Sequence, residues 1–235
     1  MQRYFGKNVE NNKIMLSNDD KFHIKTVMRL KESDSIEVVY DNKVYISKLT
    51  DDYNAIIDKE IENDSENKVK RVLIIPLLKE QKMDLILQKG TELGVDEIIP
   101  VIMERSIINI NGKEEKKLER WAKILKEASE QSKRTMIPAI TKPKKLFELK
   151  ELDGLKMVCS TVEKEMTLKK FLTQSKNYDT INIVMGPEGG ISSKEEELLN
   201  SVGFTSITLG NRILRVETVP MYVLSVLNYE NMEWL

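Results

Sequence analysis

Cysteine and histidine each occur once in this chain, at Cys159 and His23. A single cysteine cannot close a disulfide within the chain, which fits a reducing compartment. One cysteine and one histidine do not make a zinc cluster, so no metal is expected. A Ser-His-Asp hydrolase would have to use His23, which lies far from any nucleophile-elbow pattern. Long apolar runs are also missing. Stretches such as Val72 to Leu78 are far too short to span a bilayer, so no membrane association is expected. Residues Met1 to Lys7 contain no apolar core of signal-peptide length, which points to a cytoplasmic location. Nor is there an excess of one charge. The net charge of −1 argues against nonspecific attraction to nucleic acid along the whole molecule. Internal repeats and low-complexity tracts are absent.

With 40% hydrophobic and 32% charged residues, the composition is that of an ordinary globular protein. Its 235 residues suffice for one large domain, or for a moderate domain and a small one. The near-neutral total hides local clusters. Lys21, Lys25, Arg29 and Lys31 lie close together, as do Lys113, Lys116, Lys117, Arg120, Lys123 and Lys126. The second cluster is interleaved with Glu114, Glu115, Glu119 and Glu127, so it reads as a solvated helix face.

The polar stretch Glu62 to Lys68 reads as a linker, with domains at 1–66 and 69–235. Before it, Ser35–Tyr40, Lys43–Leu49 and Asn54–Ile61 are predicted strands, with a helix over Asp19–Leu30 that turns Val27 and Leu30 inward. A small β-barrel is the economical outcome, because closure removes exposed edges. After it, apolar runs alternate with helical patterns. Strands are predicted at Val69–Leu77, Glu97–Ile102, Leu155–Ser160, Thr180–Met185 and Phe204–Leu209. Helices are predicted at Lys79–Leu93, Lys113–Lys133, Ser192–Val202 and Thr218–Met232. The long helix carries Leu118, Trp121, Ala122, Leu125 and Ala128 at helical spacing. This alternation predicts a parallel α/β sheet covered on both faces.

The strongest local signal is a strand, a glycine loop and a helix: Ile183-Val184-Met185, then Gly186-Pro187-Glu188-Gly189-Gly190, then Ser192 with Glu195 as a capping box. Glycines at a strand's carboxyl end let backbone groups approach a ligand. The loop lacks the Lys-Ser/Thr of a phosphate loop, and the Glu188 carboxylate would repel phosphate. It suits a neutral or cationic ligand. A second strand, glycine turn and helix follow over Ile207 to Thr218, with Arg215 and Glu217 flanking the helix start. Thr218 is read as the helix cap or as part of the site.

Lys89-Gly-Thr-Glu-Leu-Gly-Val95, Glu127-Ala-Ser-Glu-Gln-Ser-Lys-Arg134 with Pro138, Gly186-Pro-Glu-Gly-Gly-Ile-Ser192 with Glu195, and Leu209-Gly-Asn-Arg-Ile-Leu-Arg-Val-Glu-Thr218 occur in this order. With Arg3-Tyr-Phe5 and the His23 to Arg29 segment, they resemble the RsmE family of small-subunit (16S) ribosomal RNA (uracil-N3) methyltransferases, within the SPOUT superfamily. Val219, Pro220 and Met28 depart from the usual pattern.

The resemblance implies a trefoil-knotted SPOUT domain preceded by a PUA-like barrel. It also implies S-adenosylmethionine as cofactor, ribosomal RNA or the small ribosomal subunit as partner, and a homodimer. The apolar last helix, Val219 to Leu227, agrees with burial between subunits. Cofactor contacts are then expected from Ser160, Met185, Gly186, Pro187, Gly190, Leu209, Gly210, Ile213, Leu214 and Thr218. Arg215 is expected to stabilise the uracil anion, with Glu188 or Glu217 as base, or with Glu217 only orienting Arg215. Arg3, Lys25, Arg29, Arg105 and Arg134 are the expected RNA ligands. The competing reading is a noncatalytic RNA-binding or assembly factor that keeps the fold.

Overall fold

The computed structural model describes residues 1–108, 110, 112–175 and 177–231. They form two compact units. The first comprises residues 1–66 together with Ser129–Ile137, and the second 67–128 and 138 onward.

The first unit is a six-stranded sheet. Its strands are β1 (Arg3–Phe5), β2 (Asn8–Glu10), β3 (Lys13–Met15), β4 (Ser35–Tyr40), β5 (Lys43–Leu49) and β6 (Ala55–Ile61), in the order β1-β4-β5-β6-β3-β2. Only Gly6 and Lys7 separate β1 from β2. Gly6 N donates to Val39 O at 2.8 Å and Lys7 N donates to Met15 O at 2.9 Å, so one bent stretch serves both sheet edges. The sheet therefore curls back on itself, as a small barrel does. A Cβ on Gly6 would overlap Ile14 Cγ2, so the bend needs glycine. Tyr4, Ile14, Leu16, Ile36, Val38 and Leu49 fill the interior.

Ser17 caps α1 (Asn18–Phe22) by accepting from Asp20 N, and a π turn follows over His23–Val27. This corrects the expected inward face. Ile24 is fully buried, Leu30 is partly covered, and Val27 is 59% exposed. The turn closes from Met28 N to His23 O, five residues apart, which shifts the face that a regular helix would present.

The second unit is a parallel sheet. It contains β7 (Lys70–Pro76), β8 (Glu97–Ile102), β9 (Ala139–Ile140), β10 (Lys144–Lys145), β11 (Leu155–Cys159), β12 (Thr180–Met185) and β13 (Thr205–Ile207). The order is β10-β8-β7-β12-β11-β13, with β9 also on β8. The helices are α2 (Glu80–Glu92), α3 (Glu114–Gln131), α4 (Leu168–Gln174), α5 (Ser193–Ser201) and α6 (Thr218–Asn231). The last turn of α3 belongs to the first unit. Met232, the expected end of α6, lies outside the described residues.

The central strands β7 and β12 are buried almost throughout, as strands covered on both faces must be. Alternate residues serve opposite faces. Leu73 and Ile75 pack with Met83, Ile86, Leu125 and Leu224, while Val72 and Ile74 pack with Val158, Leu199 and Phe204. Arg71 is 1% exposed, and its guanidinium reaches Leu93 O at 3.2 Å and the Asn228 side chain. It thereby ties β7 to the end of α2 and to α6. Within α3, Trp121, Leu125 and Ala128 face inward, but Ala122 is exposed, contrary to the expected stripe.

Candidate functional site

Parallel pairing places the site. Cys159 is opposite Met185 in the β11–β12 register and opposite Ile207 in the β11–β13 register. The loops that begin at Ser160, Gly186 and Thr208 therefore leave the sheet side by side, at the strands' carboxyl ends.

The first glycine loop is held on three sides. Gly190 N donates to Pro187 O at 2.8 Å, and Gly190 has φ +74°. A Cβ at Gly186 would lie 2.6 Å from Ile191 Cγ1 and 3.1 Å from Ile191 N. Glycine is thus required at one position for conformation and at the other for space. Arg105 Nη1 donates to Gly189 O at 2.8 Å. The capping box forms at α5: the Glu195 carboxylate accepts from Ser192 N at 2.9 Å. Glu195 also accepts from Glu104 N at 2.6 Å, so one buried carboxylate anchors both the helix start and the segment that carries Arg105.

The second glycine loop is equally tied. Thr208 N donates to Met166 O at 2.8 Å, and Leu168 N donates to Thr208 O at 3.2 Å. Gly210, at φ +111°, turns the chain away. Ser160 N donates to Ile207 O, and Ser160 Oγ accepts from Val162 N and Glu163 N, which fixes the third loop.

Between these loops lies a cleft of about 520 Å³, a usual size for a small-molecule site. It brings together Ser160, Met185, Gly186, Pro187, Glu188, Gly190, Ile213, Leu214 and Arg215. Leu209 and Gly210 line a side hollow that shares Ser160, Ile213 and Leu214 with the cleft. Thr218 lines neither; it is exposed and forms the first residue of α6. A larger hollow of about 920 Å³, lined by Leu77, Met103, Ser106, Lys113 and Lys142, is reached by neither glycine loop at the strand ends.

The cleft's charges come from separate elements. Lys82, in the first turn of α2, contacts Glu188 Oε1 at 2.8 Å and Glu217 Oε2 at 3.5 Å. The Lys82 hydrogen bond and its charge hold the Glu188 carboxyl below the usual carboxylate range. Glu217 Oε2 is buried without a hydrogen bond; the 3.5 Å approach of Lys82 is an ion pair only. Cys159 also lines the cleft, but burial pushes its thiol up to about 12, so it is not a nucleophile at neutral pH.

Lys82 is the charged group that sequence reasoning missed. It lies on the polar side of α2, one residue before the buried Met83, and looks like solvated surface. Its signal was positional: the first turn of a helix that follows a central strand faces the carboxyl edge of the sheet.

The expected RNA ligands are placed differently from one another. Lys25 and Arg29 are exposed in the first unit, Lys25 with its ammonium 5.8 Å from the Tyr53 ring centre and Arg29 at φ +54°. Arg105 is exposed but engaged with the glycine loop. Arg3 and Arg134 are a correction. Arg3 is 3% exposed, pairs with Glu37 at 2.9 Å and reaches Lys133 O and Asn63. Arg134 is 3% exposed and pairs with Glu66 at 2.6 Å. Their guanidinium groups are turned inward to carboxylates and are not presented to phosphate. Among the described residues no cluster of three metal-ligating side chains occurs, and no helix is long and apolar enough to cross a membrane.

The RNA methyltransferase domain family matches residues 65–228, and the RNA methyltransferase PUA domain family matches residues 16–56. Ribosomal RNA small subunit methyltransferase E of Mesomycoplasma hyopneumoniae is 35% identical, covering 96% of this chain and 98% of that protein. The Bacillus subtilis protein of the same name is 32% identical over 98% of this chain and 97% of its own. A crystal structure of ribosomal RNA small subunit methyltransferase E from Neisseria gonorrhoeae, bound to S-adenosyl methionine, superposes with a TM-score of 0.86 at 28% identity over 98% of both chains. With two glycine loops at adjacent strand ends, a curled N-terminal sheet and full-length likeness, this chain belongs to the ribosomal RNA small subunit methyltransferase E family.

Proposed function

We propose that this protein methylates N3 of a specific uridine in small-subunit (16S) ribosomal RNA with S-adenosylmethionine as methyl donor. The observation that carries this reading is the glycine-walled cleft at the carboxyl ends of β11 and β12. Gly186 has no room for a side chain, and no phosphate-loop lysine follows Gly190, yet Glu188 and Glu196 line the cavity. A phosphate-free, positively charged ligand suits these walls. S-Adenosylmethionine has no phosphate, and when bound it supplies a methyl group on a cationic sulfur.

Backbone groups of Met185, Gly186, Gly190, Leu209, Gly210, Ile213 and Leu214 hold the adenosine and methionine portions, with Ser160 and Pro187 completing the wall. Uracil N3 bears a proton and lies on the pairing edge, so the nucleotide enters unpaired. Arg215 donates to a uracil carbonyl oxygen and stabilises the charge that develops as the N3 proton leaves. Glu188 or Glu217 receives that proton. In the first unit, Lys25 and Arg29 face RNA phosphates. The protein acts as a homodimer in the cytoplasm: Tyr222 is 43% exposed on α6 and Ile213 is 86% exposed at the cleft, surfaces that a second copy would cover.

Calorimetric titration with S-adenosylmethionine and mass mapping of uridines in 16S RNA from cells lacking the protein test this reading. Cofactor heat and one missing N3-methyluridine are expected. An Arg215→Ala variant is expected to bind the cofactor and lose methyl transfer; full transfer would remove Arg215 from the mechanism.

A further inference from the structure

We propose that Lys82 is a positioning residue of the transfer site, bridging the carboxylates of Glu188 and Glu217 so that the proton acceptor is held in place and aimed when uracil arrives. The inference rests on the methyltransferase reading above and adds a residue that neither sequence motif contains.

Geometry carries it. Glu188 belongs to the first glycine loop, Glu217 to the end of the second, and Lys82 to α2, so three separate chain segments bring three charges to one point. The ammonium lies 2.8 Å from Glu188 and 3.5 Å from Glu217. Among the described residues it is the only cation within ion-pair distance of either carboxylate. Without it, Glu188 would lose the hydrogen bond and the charge that hold its carboxyl below the usual range, and would take up a proton at higher pH. A protonated carboxylate cannot accept the uracil proton. With it, the proton leaving N3 would end on a carboxylate oxygen, the electron pair left on N3 would form the new N–C bond to the donor's methyl group, and the methyl–sulfur bond would break with its electron pair returning to sulfur as a neutral thioether.

The other charges facing this cluster do not replace it. Lys79, also at the start of α2, acts on Glu188 only through space. Arg105 is spent on Gly189 O. Arg215 and Glu196 line the same cleft. Arg215 is assigned to the uracil oxygen, and Glu196 accepts from Ser206 Oγ at 2.7 Å. Lys82 therefore has two consequences. It holds the Glu188 carboxyl below its usual range, and it links the two glycine loops.

The experiment compares pH profiles of kcat for wild-type protein, Lys82→Gln, Lys82→Arg and Lys89→Gln, with 16S RNA as substrate. Lys89→Gln removes an equal charge from α2 at its far end, where the partner is Glu92. Removing an opposite charge this close moves a carboxyl by about 1–3 units, and the partial exposure of Lys82 sets the lower end. Lys82→Gln is expected to shift the acid limb upward by about 1 unit, with the KM for S-adenosylmethionine changed less than about threefold. Lys82→Arg is expected to restore the limb, and Lys89→Gln to leave it in place. Cofactor titration and a thermal melt show that each variant is folded. An unmoved acid limb in a folded, cofactor-binding Lys82→Gln overturns the inference. So does a loss confined to cofactor KM. Wild-type protein that binds cofactor and methylates no RNA overturns the function reading instead, so the two failures are distinct.

Discussion

Replacing Gly186 by alanine adds one methyl group at the tightest point of the first glycine loop. The new Cβ would meet Ile191 Cγ1 at 2.6 Å, Ile191 N at 3.1 Å and Gly190 C at 3.3 Å. The first contact is below any tolerated carbon–carbon distance, and the other two involve backbone that α5 holds through its capping box. The loop must open by several tenths of an ångström, or Ile191 must leave its rotamer. Overpacking of this kind costs about 1–3 kcal/mol. If the strain falls on the bound state, S-adenosylmethionine affinity drops about 5- to 150-fold. If it falls on the fold, the melting temperature drops by about 2–12 °C for a chain of this size. Calorimetric titration and a melt without ligand separate the two. Gly189→Ala is the matched comparison. Its Cβ would meet only the Arg105 side chain, at 3.1 Å and beyond, and that side chain can move. We expect Gly186→Ala to lose far more affinity than Gly189→Ala. Wild-type affinity together with a wild-type melt for Gly186→Ala would refute the close-approach argument.

Other outcomes follow from the same geometry. Arg134→Met strands the Glu66 carboxylate, which also accepts from Thr135 N and Met136 N; breaking such a buried pair costs about 3–5 kcal/mol, read as a lower melting temperature of the first unit. Burial alone would raise the Glu66 carboxyl, but the Arg134 hydrogen bond and charge and the two N–H donors outweigh it and leave the group lowered. A lowered carboxyl contributes stability above its unfolded value, and this is lost as pH falls through the folded one. Melts between pH 6 and 3 should therefore show wild type falling faster than Arg134→Met. Gly210→Ala has free space but a left-handed φ of +111°, so about 1–2 kcal/mol of backbone strain is expected in a melt without a steric change. Charge reversal of Lys25 and Arg29 should weaken RNA binding and reduce the slope of log K against log salt by roughly 1.5; an unchanged slope would remove both from the interface.

Most elements of the second unit were legible because buried parallel strands write themselves as unbroken apolar runs. Glu97–Ile102 and Thr180–Met185 have the predicted bounds. The strand order was not legible, since nothing local in β13 says that it pairs with β11. The short strands β9 and β10 carry two paired residues each, too few for a periodicity. Helix α4 is one such omission, with only seven residues and a threonine cap. At the site, the glycine loops announced themselves by residue type. Lys82 did not, because its role arises from partners 106 positions away at Glu188 and farther at Glu217. Arg3 and Arg134 show the converse. Both read as surface cations in the sequence, yet each lies beside a distant carboxylate, Glu37 or Glu66.

The first unit is discontinuous along the chain, and this orders events at the ribosome. When residues 1–66 have emerged, the strands of the curled sheet are all present, but Glu66 and Arg3 still lack Arg134 and the Lys133 carbonyl. Those partners appear only after β7, α2, β8 and most of α3 have been made. The N-terminal sheet must therefore wait, incompletely neutralised, through the synthesis of the first segment of its neighbour, residues 67–128. A fragment cut after residue 66 would remain in that waiting state, and adding residues 129–137 in trans, or permuting the chain to join them, should complete it.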